Sequence, residues 1–273
     1  MRKIKVLVIG DIVIDHYPDS RNSYIGGSAA NVALAFKRNS LKSDVDLIGI
    51  IGDDFAGEQL YTKLRAKGIN LDKIMKLSGK TARANWRRKD SGTELISIDK
   101  GVDQGIPLDY LTGINIGKYD LVHATPYSLG LKEIKYLKAN SKSFSFDASF
   151  IFGTDDIVEL MPETDWFFIS GGLAREHQWI SKLVFLPAEG LILLNGEEGV
   201  KFFNSNLEMD EISTKNRDEI YDDLGAGDIF IGKLLSDYYR NSRDKNMKNL
   251  LGKAIKAAGK ACQNEGASNL SLV

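Results

Sequence analysis

Ile4-Lys5-Val6-Leu7-Val8-Ile9-Gly10-Asp11 is a short apolar run closed by Gly-Asp, and it decides the class of fold. A strand with one wet face alternates apolar and polar side chains. Val6 to Ile9 do not alternate, which is the pattern of a strand covered on both faces. Ser28 to Arg38 follows with Ala29, Ala30, Val32, Ala33, Leu34 and Phe36 in a dense helical pattern behind Gly26-Gly27. Val45 to Ile51 is a second buried-type strand, ended by Gly52-Asp53-Asp54, and Phe55 to Lys67 reads as a helix stopped at Gly68. Strand, helix, strand, helix is the alternation of a parallel sheet with helices over its faces.

The rhythm breaks once. Thr81 to Lys89 and Glu94 to Lys100 alternate around Asp90-Ser91-Gly92, so an antiparallel hairpin is expected, either a sheet edge or a flap over a site. Strands are then expected at Asp120 to Ala124, Ser143 to Asp147, Asp165 to Ser170 and Leu191 to Leu194. A further hairpin is expected from Val200 to Phe203 and Leu207 to Ile212, then helices from Ala226 to Arg240 and Met247 to Gln263. No internal repeat or linker interrupts the chain, so one domain, 1–273, with a β flap is the economical expectation.

Composition narrows the function. In 273 residues, 36 basic side chains balance 37 acidic ones, without the basic footprint that a nucleic-acid backbone demands. Cys262 is the single cysteine, which excludes an intramolecular disulfide and a CxxC zinc site. The apolar run after Met1-Arg2-Lys3 ends at Gly10, short of the roughly 7–15 residues of a secretory core. No stretch reaches the ~18 apolar residues of a membrane span. A cytoplasmic protein acting on small molecules, without nucleic acid or membrane, is expected.

Three glycine strings are decoys. Gly79-Lys80-Thr81 ends like a Walker loop, but Ile74 holds the first glycine position and no helix follows. Gly225-Ala226-Gly227 lacks the third glycine of a dinucleotide fingerprint, where Phe230 stands. Gly26-Gly27-Ser28 faintly suggests a nucleophile elbow, with Ser28 as nucleophile and His123 as base, but the order of triad partners is hard to complete.

Asp222-Asp223-Leu224-Gly225-Ala226-Gly227-Asp228 is more informative, because it directly precedes an amphipathic helix. Small residues there let backbone N–H groups converge on an anion, aided by the positive end of the helix. A carboxylate in a phosphate cradle suits a base that takes a proton from a hydroxyl attacking phosphorus. The plain alternative, a glycine turn with Asp228 complementing the helix dipole, stays open on spacing alone. Asp11 and Asp15 follow the first strand, where open α/β sheets place ligand groups. With Gly26, Gly27 and Asn31 they suit a polyol, although a simple turn and a surface asparagine would explain them too.

Taken together these strings resemble the ribokinase-like, pfkB-type family of carbohydrate kinases. The resemblance runs through Gly10-Asp11 with Asp15, Gly26-Gly27 to Asn31, Gly52-Asp53-Asp54-Phe55-Ala56-Gly57, Gly196-Glu197-Glu198-Gly199 and Gly225-Ala226-Gly227-Asp228. It implies a three-layer α/β/α fold with a central, mostly parallel sheet and a small β lid, here about 12–25 and 81–100. It implies Asp228 as general base and Gly225, Ala226 and Gly227 as the anion hole. Asp11, Asp15, Gly26, Gly27 and Asn31 would hold the sugar, and Leu194, Gly196 and Gly199 would line the nucleotide. ATP with Mg²⁺ is implied, and a monovalent cation is left open. A homodimer through the lid would cover the flap's free edges.

Departures accompany the resemblance. Ser170-Gly171-Gly172-Leu173 replaces the family's Asn-x-x-Glu element, Leu194 replaces a common threonine, and Asp223-Leu224 replace small polar residues. A carboxylate at 223 should repel phosphate unless a cation compensates, which makes Asp223 a candidate metal contact. The chain is also similar to the fructoselysine kinase branch, which loses the same element and acts on amine-linked sugars; simple sugars and nucleosides are the other acceptors considered. The rival expectation is a catalytically impaired sugar- or nucleotide-binding protein on a kinase scaffold.

Overall fold

The computed structural model describes residues 3–89, 92–149, 154–162, 164–170, 186–213, 220–240 and 246–272. Its first half runs β1 (Lys5–Ile9), β2 (Val13–Tyr17), β3 (Asn22–Gly26), α1 (Ser28–Asn39), β4 (Asp44–Ile48), β5 (Ile50–Gly52), α2 (Phe55–Ala66), β6 (Ile69–Asn70), β7 (Met75–Leu77), β8 (Arg83–Lys89) and β9 (Gly92–Asp99). The second half runs α3 (Leu108–Thr112), β10 (Leu121–Ala124), α4 (Leu131–Asn140), β11 (Phe144–Asp147), α5 (Thr154–Leu160), β12 (Trp166–Ser170), β13 (Gly190–Leu194), β14 (Val200–Phe203), β15 (Met209–Ile212), α6 (Ala226–Arg240), α7 (Met247–Ala261) and β16 (Ser271–Leu272).

Nine strands form the main sheet in the order β15-β14-β13-β12-β11-β10-β1-β4-β6. Every pairing is parallel except those of β14, which is antiparallel to both neighbours. The unbroken apolar run of β1 explains its central place. Val6 and Val8 point into one core with side chains of α1, α2, α6 and α7. Leu7 and Ile9 point into the other, with α3, α4 and α5. Successive side chains leave a strand on opposite faces, so one strand anchors both helical layers.

Five strands form a second sheet in the order β16-β3-β2-β8-β9. The expected hairpin is present as β8 and β9, bulged between Asn85 and Trp86; its turn residues Asp90 and Ser91 lie outside the described residues. The expected strand Val45 to Ile51 is two strands, β4 and β5, parting at Gly49. There a Cβ would stand 2.6 Å from Ile12 Cδ1 and 2.8 Å from the Gly10 carbonyl oxygen, and β5 leaves to pair with β7. The last helix stops at Ala261, two residues before the expected Gln263. None of the described helices is long and apolar enough to cross a membrane.

Candidate active site

Parallel strands end on one edge of a sheet, and β1, β10, β11 and β13 deliver Asp11, Thr125, Asp147 and Asn195 at or just beyond their carboxyl ends there. Helices α1 and α6 lie side by side against that sheet. A Cβ on Gly232 would stand 2.6 Å from Ala35 Cβ and 2.7 Å from the Val32 carbonyl oxygen, so only glycine lets the two backbones approach this closely. That contact brings their amino-terminal turns together. Asp228, in the first turn of α6, accepts from Ser28 Oγ at 2.6 Å on Oδ1 and from Asn31 Nδ2 at 2.9 Å on Oδ2. The carboxylate is thereby aimed by two side chains of α1. Asn31 Oδ1 is buried without a partner among the described residues, an acceptor in need of a donor such as a hydroxyl.

Four carboxylates share this end of the molecule. Burial pushes Asp228 well above the usual carboxylate range; Ser28 and Asn31 pull back, while the charges of Asp147 and Asp11 push further up. Burial lifts Asp147 to about 7, opposed by the Ser149 N–H and reinforced by Asp11. Burial likewise lifts Asp15 to about 7, against the Trp86 indole N–H, with Asp11 and Asp222 adding repulsion. Asp11 is raised as well, again by burial first. Such a set titrates as a group. A carboxylate raised toward neutral pH is a stronger proton acceptor than an exposed one, which suits a general base.

The other expected residues divide by what they touch. Asp11 caps α1, accepting from Ser28 N at 2.9 Å, Thr125 Oγ1 at 3.0 Å and, more weakly, Ala29 N at 3.4 Å. It holds Ser28 in place and so reaches Asp228 indirectly. Asp15, only 2% exposed, takes the Trp86 indole N–H at 2.9 Å. A Cβ on Gly26 would fall 2.0 Å from Asp15 Oδ2, so that glycine makes room for the carboxylate. Gly27 has φ +95°, and its Cβ would stand 2.5 Å from the Asp11 carbonyl oxygen, which ties the start of α1 to the end of β1.

Gly225 turns the chain into α6 with φ +71°, its Cβ position filled by Ala267 Cβ at 2.1 Å. The Ala226 N–H closes this turn on the Asp223 carbonyl at 3.1 Å. Gly227 and Asp228 fall in the first helical turn, where N–H groups have no carbonyl of their own helix to meet. Among the described residues the missing side chain of Gly227 would touch only Leu194 Cδ1, at 3.4 Å, so the 194–199 loop borders the turn. Among the described residues nothing stands within 4 Å of a Cβ on Gly196, and Asn195 Oδ1 is a second buried acceptor without a partner among them. Gly199, at φ +113°, packs instead against the Ile212 carbonyl.

Asp223 is exposed and accepts from Thr93 N at 2.8 Å. Among the described residues no three carboxylates, histidines or cysteines gather around a cation position, at Asp223 or elsewhere. Of the departures at 170–173, Gly171, Gly172 and Leu173 lie outside the described residues. The elbow reading of Ser28 dissolves: its hydroxyl goes to Asp228, while His123 is 1% exposed with Nδ1 on Ser145 Oγ at 2.9 Å. Ser28 as the aiming group of Asp228 was missed, because the two are 200 residues apart. Asp147 and Thr125 were also missed, each legible only as a polar residue at the end of a buried strand, whereas Asn195 falls inside the Leu194 to Gly199 run expected along the nucleotide.

Two adjoining clefts, about 350 and 310 Å³, lie behind the small sheet, lined by Ile14, Asp54 and Arg83. Ile14 and Asp15 leave β2 on opposite faces, so these clefts are not the Asp15 site.

Comparison with known proteins places this geometry. The profile of the pfkB family carbohydrate kinases matches residues 3–102. Fructosamine kinase FrlD of Bacillus subtilis (strain 168) is 28% identical over 280 residues, covering 97% of this chain and 93% of its own. Fructoselysine 6-kinase of Escherichia coli (strain K12) is 25% identical over 267 residues, covering 95% and 97%. Among solved structures, a ribokinase from Cryptococcus neoformans var. grubii serotype A in complex with ADP superposes with TM-score 0.79 at 18% identity, over 98% of this chain and 96% of that one. A fructokinase from Xylella fastidiosa with bound ATP gives 0.78 at 20% identity, over 98% and 94%. At such identity the superpositions speak for the fold, and the curated relatives for the chemistry. With an α/β sheet of this order, a pfkB-family match over residues 3–102 and kinase relatives that align along nearly its whole length, the chain is a carbohydrate kinase similar to the pfkB, ribokinase-like proteins.

Proposed function

We propose that Asp228 is the general base of ATP-dependent phosphoryl transfer to a sugar hydroxyl. The hydroxyl gives its proton to the Asp228 carboxylate as its oxygen bonds to the γ-phosphorus, and the phosphorus–oxygen bond to ADP breaks. The turn of Gly225, Ala226 and Gly227 faces the charge that spreads over the transferring group, with the amino-terminal dipole of α6 behind it. The observation that carries this reading is the grip of Ser28 and Asn31 on both oxygens of Asp228, at the head of that turn. Asp15, Gly26, Gly27 and Asn31 would hold sugar hydroxyls, with Asp11 fixing Ser28 behind them. The nucleotide would lie along Leu194, Gly196 and Gly199, where the buried Asn195 Oδ1, without a partner among the described residues, offers an acceptor. Mg²⁺ would arrive on the phosphates of ATP as part of the substrate.

The small sheet, from about 12–25 and 81–100, would be the lid of a single domain and would keep water from the γ-phosphate. A fructosamine is the acceptor this reading favours over simple sugars and nucleosides. FrlD and the fructoselysine 6-kinase carry that substrate in their names, and a cluster of carboxylates suits a sugar bearing an ammonium. Edge strand β9 exposes Leu95, Ile96 and Ile98, which supports a homodimer through the lid; sedimentation of the purified protein decides between one copy and two. The reaction belongs in the cytoplasm, beside its ATP. The functional test is ADP release from Mg·ATP across hexoses, pentoses, nucleosides and fructosamines, in potassium and in sodium buffers. Release that depends on one acceptor class, above all fructosamines, supports the reading, and none with any acceptor contradicts it.

A further inference from the structure

Two carboxylates, Asp222 and Asp223, stand immediately before the anion-binding turn, where uncompensated charge would repel phosphate. Asp222 is 3% exposed and accepts four donors from four parts of the chain. These are Tyr17 OH of β2 at 2.5 Å, Thr93 Oγ1 of β9 at 2.8 Å, Gly266 N at 2.8 Å and Leu224 N at 2.9 Å. Asp223 accepts from Thr93 N at 2.8 Å, and its own carbonyl takes the Ala226 N–H at 3.1 Å. One residue at the start of β9 is therefore held through both backbone and side chain. The residues that hold it also shape the turn, through Leu224 and Ala226. The approach is close: a Cβ on Gly92 would stand 2.7 Å from Asp223 Oδ2.

We infer that Thr93, Asp222 and Asp223 form a latch that couples the seated β8–β9 hairpin to the phosphate-binding shape of the 224–226 turn. All three are positioning residues. With the latch made, the hairpin covers the acceptor while the turn sets the start of α6, whose Gly227 and Asp228 N–H groups have no carbonyl of their own helix to meet. With it broken, hairpin and turn loosen together and water competes for the γ-phosphate. Water then bonds to the phosphorus, the bond to ADP breaks, and the proton passes to Asp228, giving ADP and inorganic phosphate. This coupling rests on the kinase reading of the 225–228 turn.

The test measures ADP release without acceptor against acceptor phosphorylation at saturation. Thr93→Val removes the hydroxyl donor and keeps the backbone. Asp223→Ala removes the acceptor for Thr93 N, and Asp223→Asn restores an oxygen there without the charge. Asp223 is exposed, so a thermal midpoint near wild type is expected for both of its variants. The latch requires the hydrolysis-to-transfer ratio to rise about tenfold in Thr93→Val and Asp223→Ala, the factor expected for one charge-assisted hydrogen bond. Acceptor KM should rise, ATP KM should hold, and Asp223→Asn should recover most of the ratio. An unchanged ratio in folded Asp223→Ala overturns the latch. So does an Asp223→Asn that behaves like Asp223→Ala with an altered Mg²⁺ dependence, since charge and not hydrogen bonding would then be at work. Asp228→Asn, run alongside, separates the two ideas: if it keeps its turnover the base assignment fails, whereas the latch is judged on the ratio alone.

Discussion

At Asp228 opposing influences set the basicity. Burial and the neighbouring charges of Asp147 and Asp11 raise the carboxyl, while Ser28 and Asn31 lower it. A base must be ionised to act, so kcat/KM for the acceptor should climb with pH on a limb lying above the ordinary aspartate value. Asp147→Asn removes one like charge and should move that limb down; a limb that stays in place uncouples the two. Asp15 makes a prediction of the other kind. Burial pushes its carboxyl up to about 7 in the folded chain from an ordinary 3.8, so between these values the native state holds a proton that the unfolded chain releases. Stability on this account falls as pH rises from about 4 to 7. Asp15→Asn should therefore raise the thermal midpoint at pH 8 by about 4–8 °C, the worth of about 2 kcal/mol, and the gain should vanish below pH 4. A gain that persists at pH 3.5 would point to packing instead. Asp228 and Asn31 were legible because small residues before a helix and a carboxylate at its start are a local pattern. Ser28 was not: its meaning depends on a partner 200 residues away, and locally it resembled a nucleophile.

Helices α1 and α6 meet backbone to backbone, and the site exists because they do. Gly232 has Ala35 Cβ and the Val32 carbonyl where a side chain would go. Gly232→Val should force the helices apart at a cost of about 1–3 kcal/mol, lowering the midpoint by about 3–10 °C. Activity measured well below that midpoint should fall further than stability explains, because Ser28 and Asn31 leave Asp228. Calorimetry beside kinetics checks both halves, and a destabilised variant with full turnover would sink the link. The long elements were readable because an apolar run or a helical stripe repeats enough to declare its period. Strands β6, β7 and β16 have two or three residues each, too few for any period. The break at Gly49 was hidden for another reason: apart from Asp46 and Gly49 the run from Val45 to Ile51 is apolar, and it stays so while the strand changes partner from β1 to β7.

Over the whole molecule, the small sheet is pinned to the body from two sides. Beside the Asp222–Asp223 latch, Glu265 accepts from Ser20, Asn22 and Tyr24 on one oxygen and meets Arg88 at 3.3 Å on the other. Arg88 also lies 4.1 Å over the Tyr221 ring. Next to this anchor, β16 joins the sheet antiparallel to β3, a pairing across the chain that no local pattern announces. Glu265→Ala leaves those donors without their acceptor and should cost about 2–4 kcal/mol. It should raise acceptor KM about tenfold while leaving ATP KM in place, because the sheet stands over the acceptor side; equal effects on both substrates would contradict a lid. The most direct measurement is acceptor-dependent ADP release by the wild-type chain and by Asp228→Asn, with ATP KM determined for each. The expected result is a kcat lower by about 10²–10⁴ in the variant at nearly unchanged ATP KM. An Asp228→Asn enzyme that turns over like wild type would contradict the assignment of Asp228 as the base.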